Sequence, residues 1–416
     1  MNAIGLQNRA RSLADVGREE GDAHVPVLDG LRAAAILGVM LMHFTILQSP
    51  ILQSSILPDR VLWQIALSGW VGVDLFFVLS GFLITGILLD TKGGDGYFRN
   101  FYMRRVLRIL PLYYGSLVVL FLIIPRVAPG VVHDLGRLSN GQVWLWTYLS
   151  NVAIGFAGSW QAVPPLTGHY WSLAVEEQFY LLWPLLVYVV SRRRLLHIAV
   201  GLWSGALVLR IVLVLLGVNA TSVFVLTPTR MDGLAAGAAV AILVRERTGL
   251  VALKSVIQRV LWGSVAGLAL IIVETGTIGQ YEAITQTGGL TLLSSTFAAL
   301  LALLLARERH SLTDRVLSHP WMRHIGMRSY ALYVFHPWVL KAATRAWRAD
   351  IVPAVGGSRI GDQLLFWIVC LFASLVAAEA SWHLLEKRCL ALKRFFPRSA
   401  HQPVAAEERL APTRTR

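Results

Sequence analysis

Charge is scarce in this chain. Of its 416 residues only 15% are Asp, Glu, Lys or Arg, while 55% are hydrophobic and the mean hydropathy is +0.58. A soluble domain needs more charge than this to cover its surface, so a soluble globular fold is excluded. Cysteine is nearly absent. Cys370 and Cys389 read as lying on one helix, too far apart along it to pair, so no disulfide framework or thiolate metal site follows. No Gly-rich P-loop, HExxH or GxSxG sequence occurs, which leaves metal hydrolysis and the serine-hydrolase elbow without support. Acidic residues are outnumbered by basic ones, 24 to 38, for a net charge of +14. In so apolar a chain this excess reads as basic cytoplasmic loops rather than a nucleic-acid surface, and no basic motif interleaved with aromatics lies outside those loops.

What the chain has in abundance is long apolar runs. Hydropathy places ten spans, at about 29–49, 66–89, 106–125, 171–190, 197–217, 226–244, 258–275, 287–306, 328–346 and 362–385. The expected fold is all-α: a polytopic membrane bundle of about ten helices in one integral domain, 28–396. Polar tails at 1–27 and 397–416 flank it. The first lacks the basic head and apolar core of a signal peptide, and both read as disordered. An even number of crossings puts both ends on one side. The loops on that side hold Lys92, Arg99, Arg104 and Arg105, then Arg192, Arg193 and Arg194, then Arg245, Lys254 and Arg259, then Arg315 and Arg323. Positive loops stay inside, so both termini are expected in the cytoplasm and the protein in the inner membrane. Residues 143–157 are apolar and Trp-containing but short. They are expected to lie at the interface, or to re-enter, within an outer loop.

The polar residues inside these runs carry the functional reading. Asp29–His43 is an apolar run with an arginine near its start and a histidine inside it. Arg32 and His43 are eleven residues apart, about 16 Å along a helix and within about 20° of one face. Arg32 can snorkel to an interface; His43 cannot, so it should face the protein interior and have a partner. Its reading as a satisfied core histidine competes with a chemical one. Asp74 sits in the second span, followed by Ser80 and Gly81, and needs a partner; it is either a structural or a catalytic carboxylate. Arg99, Arg104, Arg105 and Arg108 cluster at the entrance of the third span, with Arg105 and Arg108 on one face. Guanidinium groups hold phosphates by paired hydrogen bonds, so a donor such as coenzyme A suits the cluster; topogenic charge is the plainer reading.

Glu176 and Glu177 lie side by side in an apolar helix with His169 just outside it. They suit a general acid or base, or ion pairs to another span. Arg230 and Asp232 open the sixth span, and His336 precedes Pro337 in the ninth. Glu386 stands at the end of the tenth, where spacing alone assigns it no chemistry. Together these groups form two layers: Arg32, Arg104, Arg105 and Arg108 at the inner interface, and His43, Asp74, Glu176, Glu177, Arg230, Asp232 and His336 from mid-membrane outward. A polar cavity joining a phosphate-binding inner mouth to an outward-facing chamber is expected.

The stretches LDGLRAAAILGVMLMHF, GVDLFFVLSGFLIT, FYMRRVLRILPLYY, HYWSLAVEEQFY and SYALYVFHPW, in this order, resemble the membrane-bound acyltransferase family 3, which contains bacterial O-antigen and other cell-envelope O-acetyltransferases. The resemblance covers about Val27 to Phe396. The family's arginine–ten residues–histidine signature falls on Arg32 and His43, its arginine–two residues–arginine element on Arg105 and Arg108, its paired glutamates on Glu176 and Glu177, and its arginine–x–aspartate element on Arg230 and Asp232. One departure is visible. Where the family often has a basic residue and proline after its terminal glutamate, Glu386 is followed by Lys387, Arg388 and Cys389, which leaves the end of the last span open.

The resemblance implies transfer of an acyl group, usually acetyl, from acyl-CoA to a hydroxyl of a cell-envelope carbohydrate or glycolipid. His43 would act as general base or as nucleophile, with Glu176 and Glu177 orienting or deprotonating and Asp74 beside them among the catalytic groups. Arg32, Arg105 and Arg108 would hold the donor's phosphates. Arg230, Asp232 and His336 would bind substrate. No metal and no permanently bound cofactor is expected. Family members often carry an appended soluble domain; since none follows the tenth span here, the membrane domain is expected to complete transfer alone. The rival reading is a transporter or flippase for a lipid-linked sugar, because intramembrane charges also mark transport paths.

Overall fold

The computed structural model describes residues 25–46, 51, 56–127, 141–246, 249–306, 311–347 and 351–398. The polar tails expected at 1–27 and 397–416 lie almost wholly outside the described residues. Among the described residues all regular elements are helical and no strand is formed. That is what a bilayer demands of a chain this apolar, since each backbone N–H and C=O must be bonded within its own segment.

Ten long helices form the body. They are α1 (Pro26–Ile46), α2 (Gly72–Thr91), α3 (Tyr97–Val118), α4 (Tyr170–Val189), α5 (Arg192–Leu215), α6 (Thr227–Val244), α7 (Lys254–Thr275), α8 (Leu290–Ala306), α9 (Pro320–Ala346) and α10 (Ile360–Ser381). Seven of them, with the turns that extend them, are long and apolar enough to cross a membrane. The chain is a multi-pass membrane protein. The other three, α4, α6 and α9, are of similar length, but Glu176, Glu177, Arg230, Asp232, Arg323 and Arg328 lower their hydropathy.

Helix senses follow from the contacts. Ala35 and Gly38 of α1 pack on Gly72 and Gly69, so α1 and α2 run antiparallel. Asp74 meets Arg230 and Asp90 meets Arg245, so α2 and α6 run parallel. Asp29 abuts Gly326 and His43 abuts His336, so α1 and α9 run parallel. Ten alternating crossings require these three relations. The apolar segment 143–157 adds no crossing: it forms Gln142–Trp146 and Ser150–Ala157, helices of five and eight residues, far short of the roughly 20 a crossing needs.

Two glycines set the central contact. A Cβ on Gly81 would stand 1.9 Å from the Leu234 carbonyl oxygen, and one on Gly237 1.9 Å from that of Val78. Helices α2 and α6 therefore touch backbone to backbone, which only residues without side chains permit. The most apolar windows of α1 and of the segment containing α2 are 61% and 67% buried, against 17% for α5 and α7. The first pair forms the centre of the bundle and the second its lipid-facing rim.

Helix bounds differ from the hydropathy reading chiefly at α3, at α9, which begins at Pro320 rather than 328, and at the last span. Helix α3 begins at Tyr97 rather than 106, because Arg99, Arg104 and Arg105 lower hydropathy without breaking the helix. The last span continues past 385 through a π-helical turn, Trp382–Glu386, and on through Leu392–Phe395. No proline interrupts the backbone ladder there.

Candidate active site

Three imidazoles from three segments meet inside the bundle. His43 comes from α1, His336 from α9, and His169 from the residue before α4. The His43 and His336 ring centroids are 4.9 Å apart, and those of His169 and His336 5.3 Å. Backbone carbonyls fix two of the tautomers. His336 Nδ1 lies 3.1 Å from the Leu332 carbonyl, so this nitrogen carries the proton and donates. Its Nε2 is then an acceptor, 3.3 Å from His43 Nδ1. His43 Nδ1 also lies 2.9 Å from the Val39 carbonyl. Flanked by two acceptors, His43 Nδ1 holds the proton, and the lone pair of this ring resides on Nε2. His43 keeps accessible surface, while His336 is fully buried.

A polar shell supports the row. The Tyr333 hydroxyl donates to the His169 carbonyl at 2.8 Å and meets Ser172 Oγ at 2.6 Å. Pro337 has no N–H to offer the Tyr333 carbonyl four residues earlier, and that carbonyl interacts with the His169 and His336 rings.

Toward the basic end lie Glu176 and Glu177. Glu176 accepts from Ser80 Oγ at 2.6 Å and from the Tyr180 hydroxyl at 3.3 Å. Glu177 has no hydrogen-bond partner among the described residues and interacts electrostatically with Arg105. Beyond them Arg32, Arg105 and Arg108 converge within mutual electrostatic reach. Arg32 stands 3.9 Å from Asp29. Arg105 lies over the Phe101 ring, and neither it nor Arg108 forms an ion pair or hydrogen bond among the described residues. Arg105, Arg108, Glu176 and Glu177 are enclosed by protein, yet each keeps accessible surface. Arg104 is occupied otherwise, donating to the Phe396 carbonyl at 3.1 Å. Outside the spans, Lys92 donates to the Val187 and Val190 carbonyls at 2.7 Å each and so caps the end of α4. Burial, together with the nearby Arg192 charge, holds its pKa below the usual lysine value.

Two ion pairs are sealed in the packed interior. Arg230 donates to Asp74 at 2.7 Å, with side-chain exposures of 0% and 1%. Arg210 donates to Asp232 at 2.8 Å, equally buried, and also to Thr291 Oγ1 and the Thr229 carbonyl. Phe77, Trp171 and Phe224 surround the Arg230 guanidinium.

The chain as a whole has relatives among known proteins. Residues 25–381 match the acyltransferase domain family. The chain belongs to that family. It is 31% identical over 330 residues to the peptidoglycan O-acetyltransferase OatA of Listeria monocytogenes serovar 1/2a (strain ATCC BAA-679 / EGD-e), covering 75% of this chain and 49% of that protein. It is 30% identical over 386 residues to the O-acetyltransferase OatA of Staphylococcus aureus (strain NCTC 8325 / PS 47), covering 87% of this chain and 57% of that one. The chain thus spans about half the length of the curated relatives it matches. No solved structure matches it.

In this family member the structure brings His43 and His336 into contact, and it places Glu176 and Glu177 between them and the Arg32–Arg105–Arg108 cluster. Asp74, Arg230 and Asp232 form a separate, fully buried group. Glu386 accepts from Ser381 Oγ at 2.9 Å. Reading the sequence missed Arg210, whose signal was present: an arginine alone in an apolar run must find a partner. It also gave His169 no role, because that residue lies just before its span and joins the row only through the tertiary fold.

Proposed function

We propose that the chain is a membrane O-acyltransferase that moves an acyl group, acetyl in the first instance, from acyl-CoA to a hydroxyl of a cell-envelope carbohydrate. The names of its relatives favour peptidoglycan as the acceptor. The observation carrying the chemistry is the Nε2 lone pair of His43, presented on an imidazole whose other nitrogen is engaged by the Val39 carbonyl and His336. The donor enters at the basic end, where the unpaired guanidinium groups of Arg105 and Arg108, with Arg32, take its phosphates. The basic end then faces the cytoplasm and the histidine row lies toward the opposite side.

His43 Nε2 takes the proton of the acceptor hydroxyl as its oxygen attacks the thioester carbonyl. Collapse of the tetrahedral intermediate breaks the C–S bond. The CoA thiolate leaves, and the proton held by His43 neutralises it. Glu177, unpaired and beside Arg105, orients the donor or shuttles this proton. The buried pairs Asp74–Arg230 and Asp232–Arg210 hold α2, α5 and α6 in register.

The test is acyl transfer by purified protein in lipid nanodiscs, supplied with labelled acetyl-CoA and peptidoglycan fragments. Donor-dependent labelling and thiol release are expected, and His43→Ala should lose both by at least 10²-fold. Full transfer by a folded His43→Ala protein refutes the assignment. Sugar movement without acyl transfer points to a transporter instead.

A further inference from the structure

At the end of the bundle away from the arginines, two aromatic side chains are tied together. Trp160 Nε1 donates to the Tyr281 hydroxyl at 2.8 Å, joining segments 121 residues apart. Tyr281 is 43% exposed and Trp160 half-buried, so both keep ring surface free. They are held firmly. Trp70 Nε1 donates to the Ile278 carbonyl at 2.9 Å, and the Gln286 amide to the Ala220 and Gln280 carbonyls at 2.7 and 3.2 Å. Behind them, Trp160 packs on Trp171 at 6.4 Å and Tyr281 on Phe224 at 6.1 Å. Those two inner rings also flank Arg230.

The pair stands beside the histidine row. Trp160 Cε3 lies 3.6 Å from where a Cβ on Gly168 would be, and the next residue is His169. Just before it, Leu166 is held at φ 66°, a left-handed conformation that non-glycine residues rarely adopt. Such strain persists only where surrounding structure imposes it, and it clusters at functional sites. Trp160 thus packs against the residue next to His169.

We propose that Trp160 and Tyr281 form the acceptor platform: a pyranose ring lies on their faces, with one hydroxyl directed past Gly168 toward His43. A pyranose has an apolar C–H face and a rim of hydroxyls. Aromatic faces take the first, and neutral donors and acceptors around a rigid pocket fix the second. An interfacial aromatic anchor for lipid headgroups is the competing occupant. It does not require the two rings to be bonded to each other and set against the histidine loop.

The proposal rests on the acyl-transfer reading, so the experiment separates the two. Purified protein in nanodiscs is assayed for transfer from acetyl-CoA to soluble oligosaccharides released from peptidoglycan, and saturation-transfer NMR reads binding of the same oligosaccharides without donor. Trp160→Ala should raise the acceptor KM about tenfold and abolish saturation transfer, with the acetyl-CoA KM unchanged. Trp160→Phe and Tyr281→Phe each keep a ring but lose the bond between the two, and both should fall between wild type and Trp160→Ala; these milder variants decide the matter if the alanine variant fails to fold. If wild type transfers no acyl group, the acyl-transfer reading fails, and saturation transfer to wild type but not Trp160→Ala still upholds the platform. Unchanged acceptor KM and saturation transfer in Trp160→Ala overturn it, as does an effect confined to membrane retention.

Discussion

The Asp74–Arg230 pair offers a quantitative test of the bundle's centre. Both side chains are sealed from solvent, and one 2.7 Å contact joins them across α2 and α6. Removing one member of such a pair leaves an uncompensated buried charge, at a cost of about 3–5 kcal/mol. The two losses differ. After Asp74→Leu, Arg230 still lies 5.5, 5.7 and 4.8 Å from the centroids of Phe77, Trp171 and Phe224. Cation–π attraction in a desolvated site is worth about 2 kcal/mol, so this variant should fall near the lower bound. Arg230→Met removes that attraction along with the ion pair and should fall near the upper bound. The double variant Asp74→Leu/Arg230→Met buries no charge and should be more stable than either single one, with a coupling energy of about 3 kcal/mol. Equilibrium unfolding in mixed micelles, followed by helical circular dichroism, measures all four corners of the cycle. Additivity within about 0.5 kcal/mol would show that the two groups do not stabilise each other, and the structural role given to them would be wrong.

Other variants probe the chemistry and the topology. His336→Leu deprives His43 Nδ1–H of an acceptor and should lower kcat by about 10²-fold at unchanged acetyl-CoA KM, whereas His336→Gln, which retains a carbonyl acceptor, should lose less; steady-state kinetics decides. Arg108→Ala should raise the acetyl-CoA KM by about 10-fold or more, as expected for loss of a charge-assisted hydrogen bond to phosphate, and should leave acceptor binding untouched. For orientation, Gly94→Cys and Gly279→Cys are placed singly in a background lacking Cys370 and Cys389. A membrane-impermeant maleimide should label position 279 in intact spheroplasts and position 94 only after permeabilisation; the reverse pattern would invert the proposed topology.

The number of long helices was legible because hydropathy integrates over a whole crossing. Even the helices of weaker hydropathy showed themselves, since α4 retains LLWPLLVYV after its glutamates and α6 retains LAAGAAVAILV after Asp232. Pairing was not legible. Arg230 and Asp232 read as one element, but residues two apart project roughly 200° from each other on a helix, so they serve different neighbours. Their partners, Asp74 and Arg210, are 156 and 22 residues away in sequence. The histidine row escaped for a related reason: His169, His336 and His43 share no periodicity, and His43 meets His336 only through the crossing of α1 and α9 at Asp29 and Gly326, where a Cβ on the glycine would stand 1.9 Å from a carbonyl oxygen.

The intramembrane charges sort by whether they are sealed in ion pairs at zero exposure or remain accessible. Arg210 is engaged by Asp232, Thr291 and the Thr229 carbonyl at zero exposure, which leaves it little to offer a substrate. Arg230 sits between Asp74 and three rings with no accessible surface. Arg105, Arg108 and Glu177 are only partly buried and have no bonded partner among the described residues. Leaving even a partly buried charge unpaired carries a desolvation cost, which folding alone gives no reason to accept. On the proposed function a ligand of opposite charge would supply the missing partner, and a polyphosphate donor would meet two guanidinium groups at once. Stability and catalysis should therefore separate on mutation: the Arg108 variant should fold as well as wild type or better while binding donor poorly, and the Arg210→Met variant should do the opposite. If Arg108→Ala proves as destabilising as Arg210→Met, the accessible arginines are structural too, and the inner mouth is not a donor site.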